Sequence, residues 1–197
     1  MDPIKPQKPV VPPPALRAAR ALLKLSQDKV CEEAQITDRS LRQAEGINGA
    51  GEGVSHKLRR FYEGKGLVFL GSVAIDTGWI SGCGVRWSEP LLEAMAADPA
   101  VSVVEQSGLS FRAARAFLGL SMDKVSDMAG LSKKAMIGLE GDGLNSETST
   151  RHRLTDFYES QGLIFLGRRG KAAREFYGVG IQINDRSRDN ADEDSGS

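Results

Sequence analysis

In the first part of the chain, apolar residues recur three or four positions apart in four short runs, a spacing typical of small amphipathic helices. Ser26 and Thr37 stand just before the second and third runs, where a hydroxyl can cap a helix. The predicted helices are Leu16–Lys24, Gln27–Ala34, Asp38–Glu45 and Val54–Glu63. Their predicted core positions are Leu16, Ala19, Leu22, Leu23, Val30, Ala34, Leu41, Ala44, Leu58 and Phe61.

After Gly66 the pattern becomes strand-like. Two apolar runs, 67–70 and 83–87, are separated by a loop of Ser, Asp, Thr and Gly, which predicts a β-hairpin. An isolated two-stranded hairpin is marginally stable in water, so this one requires a partner.

The same pattern occurs twice. Residues 15–46 match residues 110–141 at 14 of 32 positions, and residues 58–71 match residues 154–167 at 9 of 14. The second copy also ends in two apolar runs, 163–166 and 179–183. The sequence therefore predicts two similar units whose hairpins pair or pack together, making the chain an internal pseudo-dimer.

The predicted fold is mainly α with small β. Repeat 1 is residues 15–87, repeat 2 is residues 110–184, and a linker over 88–109 contains a short helix over Glu89–Ala97. The first 14 residues include six prolines and predict an extended, disordered arm, while the polar, acidic residues 185–197 predict a disordered tail.

The net charge is zero, but its distribution is uneven. Residues 15–88 and residues 108–184 each hold 11 Lys and Arg against 8 Asp and Glu, and the linker and tail are acidic. Two basic units are compatible with nucleic-acid binding. The short apolar runs and the absence of a signal-peptide pattern favour a cytoplasmic protein with no membrane contact. The two cysteines are interpreted as ordinary reduced thiols.

A family resemblance rests on a recurring set of residues. In repeat 1 these are Ser26-Gln27, Ala34, Ile36, Thr37 and Glu45-Gly46, and in repeat 2 they are Ser121, Ala129, Gly130, Leu131, Ser132 and Glu140-Gly141. This set resembles the helix-turn-helix of lambda-repressor-like, XRE-type bacterial and phage regulators. The resemblance implies two tandem DNA-binding units, each with its third helix in the major groove.

In repeat 1 the resemblance places base contacts on Asp38, Arg39 and Gln43, with Ser40 beside them and Gln27 at a phosphate or base. The capping residues Thr37 and Ser132 are included with these DNA-binding positions. Arg39 suits guanine and Gln43 suits adenine, although each position could also be a solvated helix face.

Repeat 2 differs at these positions. Lys133 and Lys134 replace Asp38 and Arg39, and Gly138 replaces Gln43. The lysines can bind phosphate, but glycine cannot read a base. Repeat 2 is therefore expected to bind with less sequence selectivity, or to present another surface. At the turn, repeat 2 has Gly130 where repeat 1 has Gln35, which would be strained if the site requires a positive φ.

In the same family an arginine of the first helix commonly pairs with the glutamate that ends the third. The matching pairs are Arg20 with Glu45 and Arg115 with Glu140, and their expected role is structural. Arg17 and Arg112 remain open between exposed cations and phosphate contacts.

The sequence does not indicate a metal site, a phosphate-binding loop or a catalytic site. His56 and His152 have no neighbouring metal-ligand pattern, the glycine-rich loop over 46–53 lacks the lysine of a phosphate loop, and no catalytic grouping emerges. Trp79 and Trp87 are expected to pack within the first hairpin.

The sequence therefore favours a transcriptional regulator that binds double-stranded DNA, not an enzyme, with no cofactor implied. Another transcription factor, RNA polymerase and a second copy of the chain are further candidate partners. The alternative is a protein-binding regulator, an antiactivator, that presents the same scaffold to another transcription factor.

Overall fold

The computed structural model describes residues 11–47, 49, 51–73, 80–89, 105–141, 148–172 and 174–184. Each repeat contributes four helices followed by two strands. Repeat 1 contains α1 (Pro13–Leu22), α2 (Gln27–Ala34), α3 (Asp38–Glu45), α4 (Glu52–Gly64), β1 (Leu67–Val73) and β2 (Ile80–Trp87). Repeat 2 contains α5 (Phe111–Leu118), α6 (Met122–Ala129), α7 (Lys133–Glu140), α8 (Thr148–Ser160), β3 (Leu163–Arg169) and β4 (Phe176–Ile183). The described fold is mixed α and β.

The bounds of α2 and α3 agree with the prediction because both starts are set locally. The side chain of Ser26 accepts a hydrogen bond from the Lys29 N–H, and that of Thr37 accepts one from the Ser40 N–H. Each cap satisfies a backbone donor that the first turn of a helix leaves unpaired.

The predicted bounds of α1 were wrong at both ends. The helix begins at Pro13, within the stretch predicted as a disordered arm, because proline has no N–H to leave unpaired in a first turn. Just before it, Val11 is buried and its N–H donates to Ser55 Oγ at 3.0 Å. At the other end, Lys24 turns to a φ of 56°, which ends the helix. Residues 11–14 therefore belong to the folded unit.

The remaining predictions about the flanking segments fall on other residues. Residues 1–10 of the arm, the linker helix beyond Glu89 and the tail over 185–197 lie outside the described residues. The fourth helix begins at Glu52, two residues before its predicted start, because Gly51 takes the extended N-cap conformation.

The predicted pairing of the two hairpins is confirmed. The four strands form one antiparallel sheet in the order β1-β2-β4-β3, with β2 and β4 joining the repeats at its centre. In this pairing Val85 lies opposite Ile181, and both are fully buried.

Equivalent glycines permit the two central strands to approach each other. A Cβ atom on Gly84 would collide with the carbonyl oxygen of Ile181, and one on Gly180 would collide with that of Val85. Because both repeats keep glycine here, the strands can hydrogen-bond without displacement.

The helices add a second contact between the repeats, since α1 packs against α5. Almost every apolar position of α1 is buried, because the helix contacts both its own repeat and the other one. The hydrophobic core is one cluster across both repeats, and it includes Tyr62 and Tyr158 at equivalent positions. The two repeats therefore fold as one body.

Candidate nucleic-acid interface

Helix α3 is fixed from one side. Leu41 and Ala44 are fully buried, and the Thr37 and Ser40 hydroxyls lie 2.8 Å apart at the first turn. The side chains on the other faces of the helix must then point outward. Asp38, Arg39 and Gln43 are exposed, and Ser40 is half-buried.

Arg39 and Gln43 are four residues apart and so share one face of α3. Asp38 has a partner on the same helix, because its Oδ2 lies 3.0 Å from Nε of Arg42. Sequence reasoning did not single out Arg42, although the i, i+4 spacing from Asp38 was a usable signal. The pair balances the carboxylate that would otherwise oppose an approaching phosphate.

Gln27 is placed differently. Its Nε2 donates to Oε2 of Glu45 at 3.1 Å, and the side chain is only partly exposed. The start of α2 is thereby tied to the end of α3. Gln27 is thus held in one orientation, whereas Arg39 and Gln43 extend into solvent.

The two ion pairs expected from the sequence form with the same geometry. In repeat 1, Nε and Nη2 of Arg20 lie 2.7 and 2.9 Å from the Glu45 oxygens. In repeat 2, the same atoms of Arg115 lie 2.5 and 2.7 Å from those of Glu140. Both carboxylates are buried, with 5% and 3% of their side-chain surface exposed. Two-point pairing of this kind fixes the end of the third helix against the first.

The ion pair shifts the pKa of each arginine. Burial disfavours the charged form of Arg20, but the hydrogen bonds and charge of Glu45 outweigh it and raise the arginine pKa. The hydrogen bonds of Glu140 likewise raise the pKa of Arg115. Both guanidinium groups therefore stay charged, as their structural role requires.

Helix α7 of repeat 2 presents different chemistry. Ser132 Oγ caps it by accepting from the Ala135 N–H at 3.2 Å, and both Lys133 and Lys134 are exposed. Nζ of Lys133 lies 2.8 Å from Oδ1 of Asp123. This pair is exposed and so costs little to break.

The structure resolves the open question about Arg17. Its Nε and Nη2 donate to the carbonyl oxygens of Ala116 and Phe117, each at 2.8 Å, and its Nη1 donates to that of Glu45 at 2.5 Å. Burial lowers its pKa from the ordinary arginine value. Arg17 thus binds the end of α5 and joins the two repeats. Arg17 is therefore neither an exposed cation nor a phosphate contact.

Arg112, its equivalent, stays within repeat 2. It donates from Nη2 to the carbonyl oxygen of Glu140 at 3.3 Å. Arg17 passes over Gly119, whereas the equivalent place in repeat 1 is occupied by Lys24.

The turn between the second and third helices is left-handed in both repeats. Gln35 has a φ of 51° and Gly130 a φ of 61°. A cation of the fourth helix binds each turn: Lys57 Nζ donates to the Gln35 carbonyl at 2.7 Å, and Arg153 Nη2 to the Gly130 carbonyl at 3.2 Å. The position does require a positive φ, so Gln35 is strained where Gly130 is not.

Trp87 packs as expected, with its ring buried and its Nε1 donating to Oε1 of Glu105 at 3.1 Å. Trp79 lies outside the described residues.

Within the described part of the chain, no three His, Cys, Asp or Glu side chains are grouped to hold a metal ion. No helix among those residues is long and apolar enough to span a bilayer. Comparisons with protein-family models, with curated proteins and with solved structures find no match.

Proposed function

We propose that this protein is a sequence-specific DNA-binding transcriptional regulator, in which α2–α3 and α6–α7 act as tandem helix-turn-helix units. The observation that carries the proposal is the arrangement of α3. Its buried face is fixed by Leu41 and Ala44, while Arg39 and Gln43 project together into solvent. A capped helix that presents an arginine and a glutamine on one face suits base edges in the major groove.

The two repeats would have different roles in DNA binding. Repeat 1 offers hydrogen-bonding groups that distinguish bases, and repeat 2 offers Lys133 and Lys134, which suit phosphates. If both units engage one face of a duplex, their half-sites lie about one helical turn, ~10 bp, apart. The two half-sites would differ in sequence because α3 and α7 differ.

The test is DNA binding at two salt concentrations, with duplexes selected from a random pool and a scrambled control. Arg39→Ala or Gln43→Ala should cost about 1 to 3 kcal/mol on the selected duplex and relax specificity. Lys133→Ala should weaken binding to both duplexes and flatten the salt dependence. Equal losses of affinity on both duplexes for all three variants would contradict these different roles of the two repeats.

One observation favours a second function, the protein-binding regulator. Helix α7 exposes Ile137 at 58%, and α6 exposes Met128 at 46%, where repeat 1 has Arg42 and Glu33. Exposed apolar side chains suit a protein partner better than a phosphate backbone. A chain that forms no salt-sensitive complex with any duplex would favour this function over the first.

A further inference from the structure

A basic groove lies between the repeats, beside α1 and α5. Its volume is about 610 Å³, and equivalent positions of both repeats line it. Five lining residues are cationic: Arg17, Arg20, Lys24, Arg112 and Arg115. Among the described residues the lining includes one carboxylate, Glu140, which Arg115 binds through two hydrogen bonds. Glu140 offsets Arg115, and Glu45 offsets Arg20 from just outside the lining, so the surplus of positive charge comes from Arg17, Lys24 and Arg112.

The cations differ in how much of their hydrogen-bonding capacity is already used. Arg20 and Arg115 bind buried carboxylates, and Arg17 donates to three carbonyl oxygens. Lys24 is exposed, and the described bond of Arg112 is a single one to the Glu140 carbonyl. Lys24 and Arg112 also both line an adjoining cavity of about 380 Å³, together with Glu105 and Glu140. These two cations can therefore turn toward a ligand in the same region.

The backbone of Lys24, which lines the groove, is also strained. Its φ is 56°, a left-handed conformation that glycine adopts readily and lysine does not. Repeat 2 has Gly119 at this place, with a φ of 69°. Gln35 and Gly130 show the same difference between the repeats, so the strain at Lys24 separates a stability effect from a binding effect but does not itself indicate a ligand.

We propose that this groove binds a phosphate group, held by Lys24 and Arg112 with the positive charge of Arg17 beside them. An ammonium and a guanidinium are the side chains best suited to phosphate oxygens. Ser26 and Met122, beside the starts of α2 and α6, line the same groove, so a duplex lying across both units could supply the phosphate. A free phosphorylated ligand could supply it too. The site does not depend on the proposed DNA binding.

The experiment titrates pyrophosphate into the full chain at low salt by calorimetry. We expect saturable binding of one equivalent. Lys24→Gly and Arg112→Gln should each weaken it about tenfold or more, as the loss of a charged hydrogen bond predicts. Lys24→Gly should at the same time raise the thermal midpoint of the protein without ligand, because it relieves the left-handed lysine. A role confined to stability would not produce weaker binding in a more stable protein.

Lys24→Gln and Lys171→Gln form the matched control pair, since Lys171 is an exposed lysine of the β3–β4 connection that does not line the groove. Only Lys24→Gln should lose pyrophosphate affinity. Adding duplex DNA then identifies the source of the phosphate: displacement of pyrophosphate indicates the DNA backbone, and simultaneous binding indicates a free ligand. The proposal is overturned if the wild type does not bind pyrophosphate, or if Lys24→Gly and Arg112→Gln bind it as tightly as the wild type.

Discussion

Nη2 of Arg17 donates to the carbonyl oxygen of Phe117 at 2.8 Å, across 100 residues of sequence. The bond joins the first helix of one repeat to the end of the first helix of the other. The carbonyls at a helix end have no partner within the helix, so a cation there supplies one and also opposes the helix dipole. Arg17 is thereby a polar link between the repeats, as is Gln182, whose Nε2 donates to the Gly82 carbonyl at 2.8 Å.

Arg17→Ala should destabilise the whole chain. The change removes three charge-assisted hydrogen bonds, although the Ala116 carbonyl keeps its bond from the Gly119 N–H, so we expect a loss of about 2 to 4 kcal/mol in the free energy of unfolding. Urea denaturation followed by circular dichroism measures it. Arg112→Ala is the matched control and should cost about 1 kcal/mol, because Arg112 makes one longer bond. Equal costs for the two variants would contradict the linking role of Arg17.

The two ion pairs should be comparably important in both repeats. Arg20→Ala leaves Glu45 buried with its bond from Gln27 but without a cation, and Arg115→Ala removes the cation that pairs with Glu140. Removing one member of a buried pair costs about 3 to 5 kcal/mol, which the partial exposure of both arginines reduces to about 2 to 3 kcal/mol. Thermal denaturation in low and high salt measures this loss of stability. A loss below about 0.5 kcal/mol would mean that the pairs contribute no more than ordinary surface salt bridges.

Gly180→Ala should separate the central strands. The added methyl group would collide with the Val85 carbonyl, and neither backbone can move without breaking the pairing of β2 with β4. Overpacking of this kind costs about 1 to 3 kcal/mol. Gly64→Ala, where a Cβ atom meets nothing within 4 Å, is the control and should be neutral or slightly stabilising within α4. Native-state hydrogen exchange should show faster exchange of the β2 and β4 amides in Gly180→Ala alone.

The buried tyrosines predict a loss of stability at alkaline pH. Burial is the main cause that raises the pKa of Tyr62 and Tyr158 above the ordinary value of 10.0, and the nearby carboxylates add to it. Below pH 10 both the folded and the unfolded chain keep the phenol protonated, so the contribution is constant. Above pH 10 the unfolded chain ionises first, and stability falls as the pH rises.

The matching variants are Tyr62→Phe and Tyr158→Phe. In the described structure neither hydroxyl has a hydrogen-bond partner, so removing it should cost about 0 to 0.5 kcal/mol at neutral pH or stabilise the protein slightly. Each variant should also lessen the alkaline loss. Urea denaturation at pH 7 and at several values above pH 10 measures both effects. An unchanged alkaline loss in the double variant would assign it to other groups.

The agreement between sequence and structure was best where the determinants are local. Ser26 and Thr37 set the starts of α2 and α3 by bonds that span three residues, so the bounds could be predicted. The pairing of the hairpins could be predicted because two lone hairpins in one chain both need a partner. These determinants are visible in the sequence without knowledge of the tertiary contacts.

The predictions that failed concern residues whose positions depend on contacts with distant parts of the chain. Val11 is held by Ser55, 44 residues away. The proline-rich sequence around Val11 gives no sign of this contact, so residues 11–14 were wrongly predicted to be disordered. The role of Arg17 depends on how α1 lies against α5, which periodicity does not specify. The strain at Lys24 could have been predicted, since it aligns with Gly119 just as Gln35 aligns with Gly130. The base-reading roles of Arg39 and Gln43 remain predictions.

The left-handed turn offers the sharpest comparison between the repeats. Gln35→Gly should stabilise the protein by about 0.5 to 1 kcal/mol, because relief of the left-handed side chain exceeds the extra chain entropy that glycine brings to the unfolded state. The reverse change, Gly130→Gln, should destabilise it by more than that amount. Its Cβ atom would also lie 2.8 Å from Nη2 of Arg153, the group that binds this turn in repeat 2.

Denaturant midpoints of the two single variants and of the double exchange measure the effect. Because the turns lie in different repeats, the two changes should add within about 0.5 kcal/mol, and the exchange should leave the protein less stable than the wild type. Neither residue is among those proposed to contact DNA, so duplex affinity should stay unchanged in Gln35→Gly. A destabilising Gln35→Gly would mean that the Gln35 side chain makes contacts that outweigh the strain of its backbone.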